Sequence, residues 1–131
     1  MDIDIRIIQH KDFLRMTPNG ELNMEQSKQL VLRLASLNKP PNNRDALLDF
    51  RNTTSQITIT DIAMLVQVMM KHRESFRSKL AILTEPGDWL ELAKFVEGYA
   101  KVRGFQVAAF DSFEAAILWL ATITEVKPEN E

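Results

Sequence analysis

Apolar residues recur along this chain with two periods. Ile3, Ile5 and Ile7 alternate with Asp4 and Arg6, the spacing of a strand with one buried face. A short polar link, Gln9 to Asp12, leads into Phe13 to Met16. Links of that length join antiparallel strands, so the domain is expected to open with a hairpin. Pro18 and Gly20 in "TPNGE" then read as a break. Next, Met24, Leu30, Leu34 and Leu37 fall near helical spacing, with Val31 widening the stripe. Asn23 and Gln26 resemble a capping box at its start, and Pro40 and Pro41 prevent its continuation.

Ala46 to Phe50 reads as a short buried strand. A polar loop follows, and then an apolar helix over 60–76 with Thr60 as N-cap and Asp61 in its first turn. Lys79 to Thr84 is the next strand and "EPGD" the turn after it. Asp88 and Glu91 are spaced as a cap pair before the helix "WLELAKFVEGYAKVR". Gly104 sits just past that helix, where a left-handed residue is favoured. The last strand is "FQVAAF", and the last helix opens with Asp111 and Glu114 spaced like a capping pair.

The order β-β-α-β-α-β-α-β-α defines an α/β fold. It predicts a mostly parallel five-stranded sheet with an antiparallel edge from the opening hairpin, and four helices on its faces. The expected organisation is one domain over 1–124 with a polar C-terminal tail, 125–131, that frays.

Composition narrows the function classes more than it names one. The chain has 131 residues, 45% hydrophobic and 26% charged, with a formal net charge of −2. That is an ordinary globular composition, with no global pull toward nucleic acid. It has no cysteine, so there is no thiol nucleophile, zinc-thiolate site or disulfide. The charged start "MDIDIRIIQHKD" lacks a signal-peptide core, and no apolar run reaches the roughly 18 residues of a membrane span. A cytoplasmic location, alone or peripheral to a membrane, is the expectation.

Catalytic chemistry has little to stand on. His10 and His72 are the only histidines and lie far apart in sequence, and the four glycines form no phosphate or dinucleotide fingerprint. No catalytic residue, metal ligand or cofactor site is expected. Asp49, inside an apolar strand, is the one carboxylate whose burial would raise its pKa, though hydrogen bonding to backbone at the strand end is its simpler role.

Binding has more to offer. The loop from Asn52 to Thr60 follows the carboxyl end of a parallel strand, where open α/β folds bind ligands. Ser55, Thr58, Thr60 and Asp61 would form its polar rim. On the helix that follows, Ile62, Leu65, Val66, Met69 and Met70 make one apolar face. Met64 and Val68 fall on the side that surface helices keep polar, and such excess marks a groove, partner or membrane contact. Trp89 at the second carboxyl-edge loop would wall a pocket, insert at an interface or pack. Phe113 and Trp119, beside Ile117 and Leu120, read as core. "KHRESFRSK" over 71–79 suits the negative end of a helix dipole, with an anionic lipid surface as the sharper alternative.

Three of these segments together resemble a known family. "LLDFRN" resembles its aliphatic-Asp strand before a polar loop, "KLAIL" its strand before a turn and long helix, and "GFQVAAFDSFEAAILWL" its C-terminal signature. The chain resembles the SpoIIAA-like proteins, small bacterial relatives of the STAS domains of anti-anti-sigma factors, from about Ile3 to Leu120. The resemblance implies a regulator working by protein contacts. It departs at the phosphorylatable Ser-Ser-Gly, where this chain has "TITDI", so Thr60 or Asp61 stands nearest the modified serine. Other members resemble lipid-transfer folds of the CRAL-TRIO kind, which implies apolar ligands or membrane surfaces. The combined expectation is a non-catalytic module. It would bind an apolar ligand or lipid, a membrane surface, a protein partner or a second copy through the helix 60–76 and adjacent loops. The alternative is an anti-sigma antagonist without the usual phosphorylation motif.

Overall fold

The computed structural model describes residues 4–9, 13–41 and 43–122. Ile3, His10 and the expected tail lie outside them. The elements in chain order are β1 (Asp4–Gln9), β2 (Phe13–Leu22), α1 (Met24–Leu37), β3 (Asp45–Asp49), β4 (Thr53–Ser55) and α2 (Ile59–Lys71). A 3-10 turn (Arg73–Phe76), β5 (Leu80–Leu83), α3 (Asp88–Val102), β6 (Val107–Phe110) and α4 (Phe113–Ala121) complete the fold.

The strand order is β1-β2-β3-β5-β6, with β4 paired to β2 alone. β1 lies antiparallel to β2, from Asp4 opposite Asn19 to Gln9 opposite Leu14, and the pairings β2–β3, β3–β5 and β5–β6 are parallel. Among the described residues the sheet therefore holds six strands where five were expected. The added strand depends on β2, which continues through the predicted break. Pro18 lies beyond the last β2–β3 pair, Met16 with Leu48, and before the first β2–β4 pair, Gly20 with Thr53. Neither parallel neighbour needs a backbone N–H there, so the proline is tolerated. Gly20, at φ 113°, lets the strand leave β3 and take up β4.

The fully buried runs of β3 and β5 alternate between two helical layers. Leu48, Leu80 and Ile82 face α1, α2 and α3 in the larger core, with Leu30, Leu34, Ile62, Val66, Met69 and Ala93. Leu47, Ala81 and Leu83 face α4 through Ala116 and Leu120, with Phe113 and Trp119 partly buried against them. Lys79 extends its ammonium to the carbonyls of Trp119 and Thr122, capping the end of α4.

The capping box at α1 forms as expected. Asn23 Oδ1 accepts the Gln26 N–H at 2.8 Å, and Gln26 Oε1 accepts the Asn23 N–H at 3.1 Å. Gly104 has φ 93° just past α3, as its position predicted. The other caps differ. α2 starts at Thr58 rather than Thr60, because Asp61 three residues on completes a second capping box with it. α3 follows Gly87 with no side-chain cap, so Asp88 and Glu91 simply occupy its first turn. At α4 the cap is Ser112, whose hydroxyl oxygen accepts the Ala115 N–H, and not Asp111. α2 ends at Lys71 instead of Phe76, the remaining residues tightening into the 3-10 turn. Leu37 and Met70, expected in buried stripes, are exposed.

Candidate protein-binding surface at the carboxyl edge

Asp49 closes β3 and organises the edge around it. Its residue is buried, and its carboxylate accepts from Arg15 Nη2 at 2.8 Å, Arg51 Nη2 at 2.8 Å, Arg51 Nε at 2.9 Å and the Arg51 backbone N–H at 3.1 Å. Arg15 reaches it because Arg15 is registered opposite Leu47, placing Asp49 two residues along on the same face. Both guanidiniums lie over the Phe113 ring, at 5.1 and 5.7 Å from its centroid. Burial pushes the Asp49 carboxyl upward, but the hydrogen bonds from Arg51 and Arg15 outweigh it and hold the group below its ordinary value. The raised pKa that burial alone would give is thus reversed, and the Arg51 N–H bond is the backbone contact expected as the simpler role. The group is an anion bracing two strands and a loop.

Beyond Asp49 the chain turns through Thr53, whose hydroxyl donates to the Phe50 carbonyl at 2.7 Å and accepts the Trp89 indole N–H at 2.9 Å. The Trp89 ring stacks on Phe50 with centroids 5.1 Å apart. Trp89 therefore pins the first turn of α3 to the loop ahead of α2. The half-buried Ser55 ends β4 and its Oγ accepts the Ile57 N–H. Thr58 and Thr60 are exposed. Thr58 Oγ1 accepts the Asp61 N–H at 3.2 Å, and the Asp61 carboxylate accepts the Thr58 N–H at 2.9 Å. Ser55, Thr58 and Asp61 thus lie together along the entry to α2.

The helix itself presents an unusual outer arc. Ile62, Leu65, Val66 and Met69 are buried. Facing out are Ile59 at 57%, Met64 at 51% and Met70 at 41% exposure, with Val68 half-buried and Thr60, Gln67 and, at the helix end, Lys71 as the polar members. No charged side chain appears in α2 between Asp61, which is occupied by the cap, and Lys71. Sequence reasoning singled out Met64 and Val68 but not Ile59, which it placed before the helix. It also missed Arg15 and Thr53, whose partners lie more than 30 residues away.

Beneath the same helix lies a cavity of about 80 Å³. Leu48, Phe50, Leu80 and Ile82 form its floor, α2 its roof, and Leu30, Leu34, Ala93 and Val96 its sides, with Ser27 and Trp89 as the contributors that carry a polar atom. Among the described residues, no group of His, Asp and Glu side chains could hold a metal ion. No described helix is long and apolar enough to cross a membrane.

The arrangement is that of a SpoIIAA-like α/β fold, and solved structures share it. An uncharacterized protein from the DUF3478 family with a SpoIIAA-like fold, from Shewanella loihica, is 20% identical, with a TM-score of 0.60 over 92% of this chain and 94% of that one. An anti-sigma factor antagonist from Mycobacterium paratuberculosis is 13% identical, with a TM-score of 0.62 over 92% of this chain and 96% of that one. The anti-sigma factor antagonist SpoIIAA in its unphosphorylated form is 13% identical, with a TM-score of 0.55 over 92% and 99%. No protein-family model and no curated protein sequence matches the chain.

Proposed function

We propose that this chain is a non-catalytic regulatory module that binds a protein partner through the outer arc of α2 and the loop leading into it. The observation that carries this reading is the composition of that arc. A helix whose inner face is already satisfied by core exposes Ile59, Met64 and Met70, with no charge between the capping Asp61 and the terminal Lys71. Surface helices ordinarily keep that side polar, and methionine lets such a surface adapt to its partner. The Thr58–Asp61 box and Ser55 supply a polar rim of the kind that borders apolar contact centres. That two structures sharing the fold are anti-sigma factor antagonists supports regulation by protein contact. Membrane attachment through this arc would be the same apolar surface serving another phase.

The test is site-specific photo-crosslinking in living cells. A photoreactive residue at Met64 should give a discrete adduct that Ile59→Asp abolishes, while the same residue at Leu118, 70% exposed on α4, should not. An adduct of two copies would identify the partner as a second chain. Equal labelling from both positions, or none from Met64, would remove the reading.

A second reading, binding of an apolar ligand, is favoured by the cavity beneath α2.

A further inference from the structure

The cavity under α2 has a wall of one chemical kind. Of the side chains that line it, only Ser27 and Trp89 carry a hydroxyl or N–H, and the Trp89 indole N–H is taken up by Thr53. A buried water needs two to four polar partners, which the Ser27 hydroxyl, with the indole N–H already bonded, does not provide, so the fitting occupant is apolar. Its size is equally selective. At about 80 Å³ it is roughly half the about 150 Å³ engineered apolar cavity that takes up benzene.

The roof is also the part of the fold best able to admit a guest. The nearest backbone neighbours of α2 are α1, α3 and the 3-10 turn, while its inner face looks onto the strands across the cavity. Met69, buried in that roof, is unbranched and changes shape at low cost. At one end the wall is held by Trp89, whose indole N–H bonds the Thr53 hydroxyl.

We propose that this cavity is a binding site for one compact apolar molecule of roughly three or four heavy atoms, scaled from the benzene-sized precedent. Extended acyl chains are excluded by its volume. The site is separate from the outer arc of α2: a partner can dock there whether or not the cavity is filled, and the two ideas fail separately.

Xenon and n-butane are the probes, and methyl NMR of the full chain is the readout. Dissolved xenon should shift the methyl signals of Leu48, Ile62 and Val66 saturably, and butane should compete with it. Leu47 and Leu83, which face α4, should not respond. Ala93→Val and Val96→Leu each add carbon to the wall and should abolish the shifts; Val96 is only half-buried, so its variant is expected to fold even if the first does not. Absence of saturation in the natural chain, equal shifts at Leu47 and Leu83, or shifts that survive in the filled variants would overturn the proposal. Binding of palmitate at the same methyls would overturn its size limit.

Discussion

Trp89 donates its indole N–H to the hydroxyl oxygen of Thr53 at 2.9 Å, across 36 residues of sequence, while its ring stacks on Phe50. One side chain therefore joins α3, the end of β3 and the loop before α2 by two interactions that can be removed separately. Trp89→Phe keeps an aromatic ring on Phe50 and deletes the donor, for an expected loss of about 1 kcal/mol. Trp89→Ala removes both and leaves a space beside Phe50, for about 3 kcal/mol or more. Urea unfolding with an unchanged m-value reads both losses. Equal losses for the two variants would show that the ring contributes nothing.

Asp49 gives the fold a defined response to acid. Its carboxyl is held below its ordinary value in the folded chain, so the unfolded chain binds the proton more tightly. The stabilisation is then fully present above the unfolded pKa of about 3.9 and is lost as pH falls through the lower folded value. Asp49→Asn leaves Arg15 and Arg51 facing each other over Phe113 without their anion. The side chains of Arg15 and Arg51 are 24% and 36% exposed, so solvent softens the cost to about 2 kcal/mol at neutral pH, below the range for a fully buried pair. Urea unfolding across a pH series should show this difference constant above about pH 5 and narrowing below about pH 4. A difference that widens on acidification would contradict the depressed carboxyl.

Much of this fold is written in local patterns. Leu47 and Leu48, or the run Leu80–Leu83, are apolar at every position because both faces of a parallel strand are covered, and runs of this kind can be recognised without knowing the neighbours. The Asn23–Gln26 box is likewise complete within four residues. Thr58–Asp61 has the same legible form, but the more apolar stretch after Thr60 drew the helix start two residues too late. What the chain does not announce is register. Arg15 meets Asp49 only because Arg15 pairs with Leu47, and Thr53 meets Trp89 only once both parallel crossovers are made. β4 was hidden for a related reason: Thr53–Ser55 is polar, and it is a strand only because Gly20 turns β2 toward it.

The outer arc of α2 and its inner face should separate cleanly on mutation. Met64→Asp and Ile59→Asp alter side chains that are more than half exposed, so thermal unfolding should stay within about 0.5 kcal/mol of the natural chain. Partner crosslinking should nevertheless fall. Val66→Asp, at 1% exposure, buries a carboxylate in the apolar core and should cost more than about 4 kcal/mol. A large stability loss from Met64→Asp would mean that the arc is covered within the folded chain and is no partner surface.

The entry to α2 offers the sharpest choice between two adjacent threonines. Thr58 caps the helix reciprocally with Asp61 at 3.2 and 2.9 Å, whereas Thr60 is exposed in the first turn. Thr58→Ala removes the acceptor for the Asp61 N–H and should cost about 1 kcal/mol. Thr58→Ser keeps the acceptor and should restore most of it. Thr60→Ala replaces one first-turn residue by a better helix former and should be neutral or stabilising by a few tenths of a kcal/mol. Unfolding midpoints of the three variants decide the matter. If Thr60→Ala were the costly change, the helix would begin two residues later than the hydrogen bonds place it, and Ile59 would leave the binding arc.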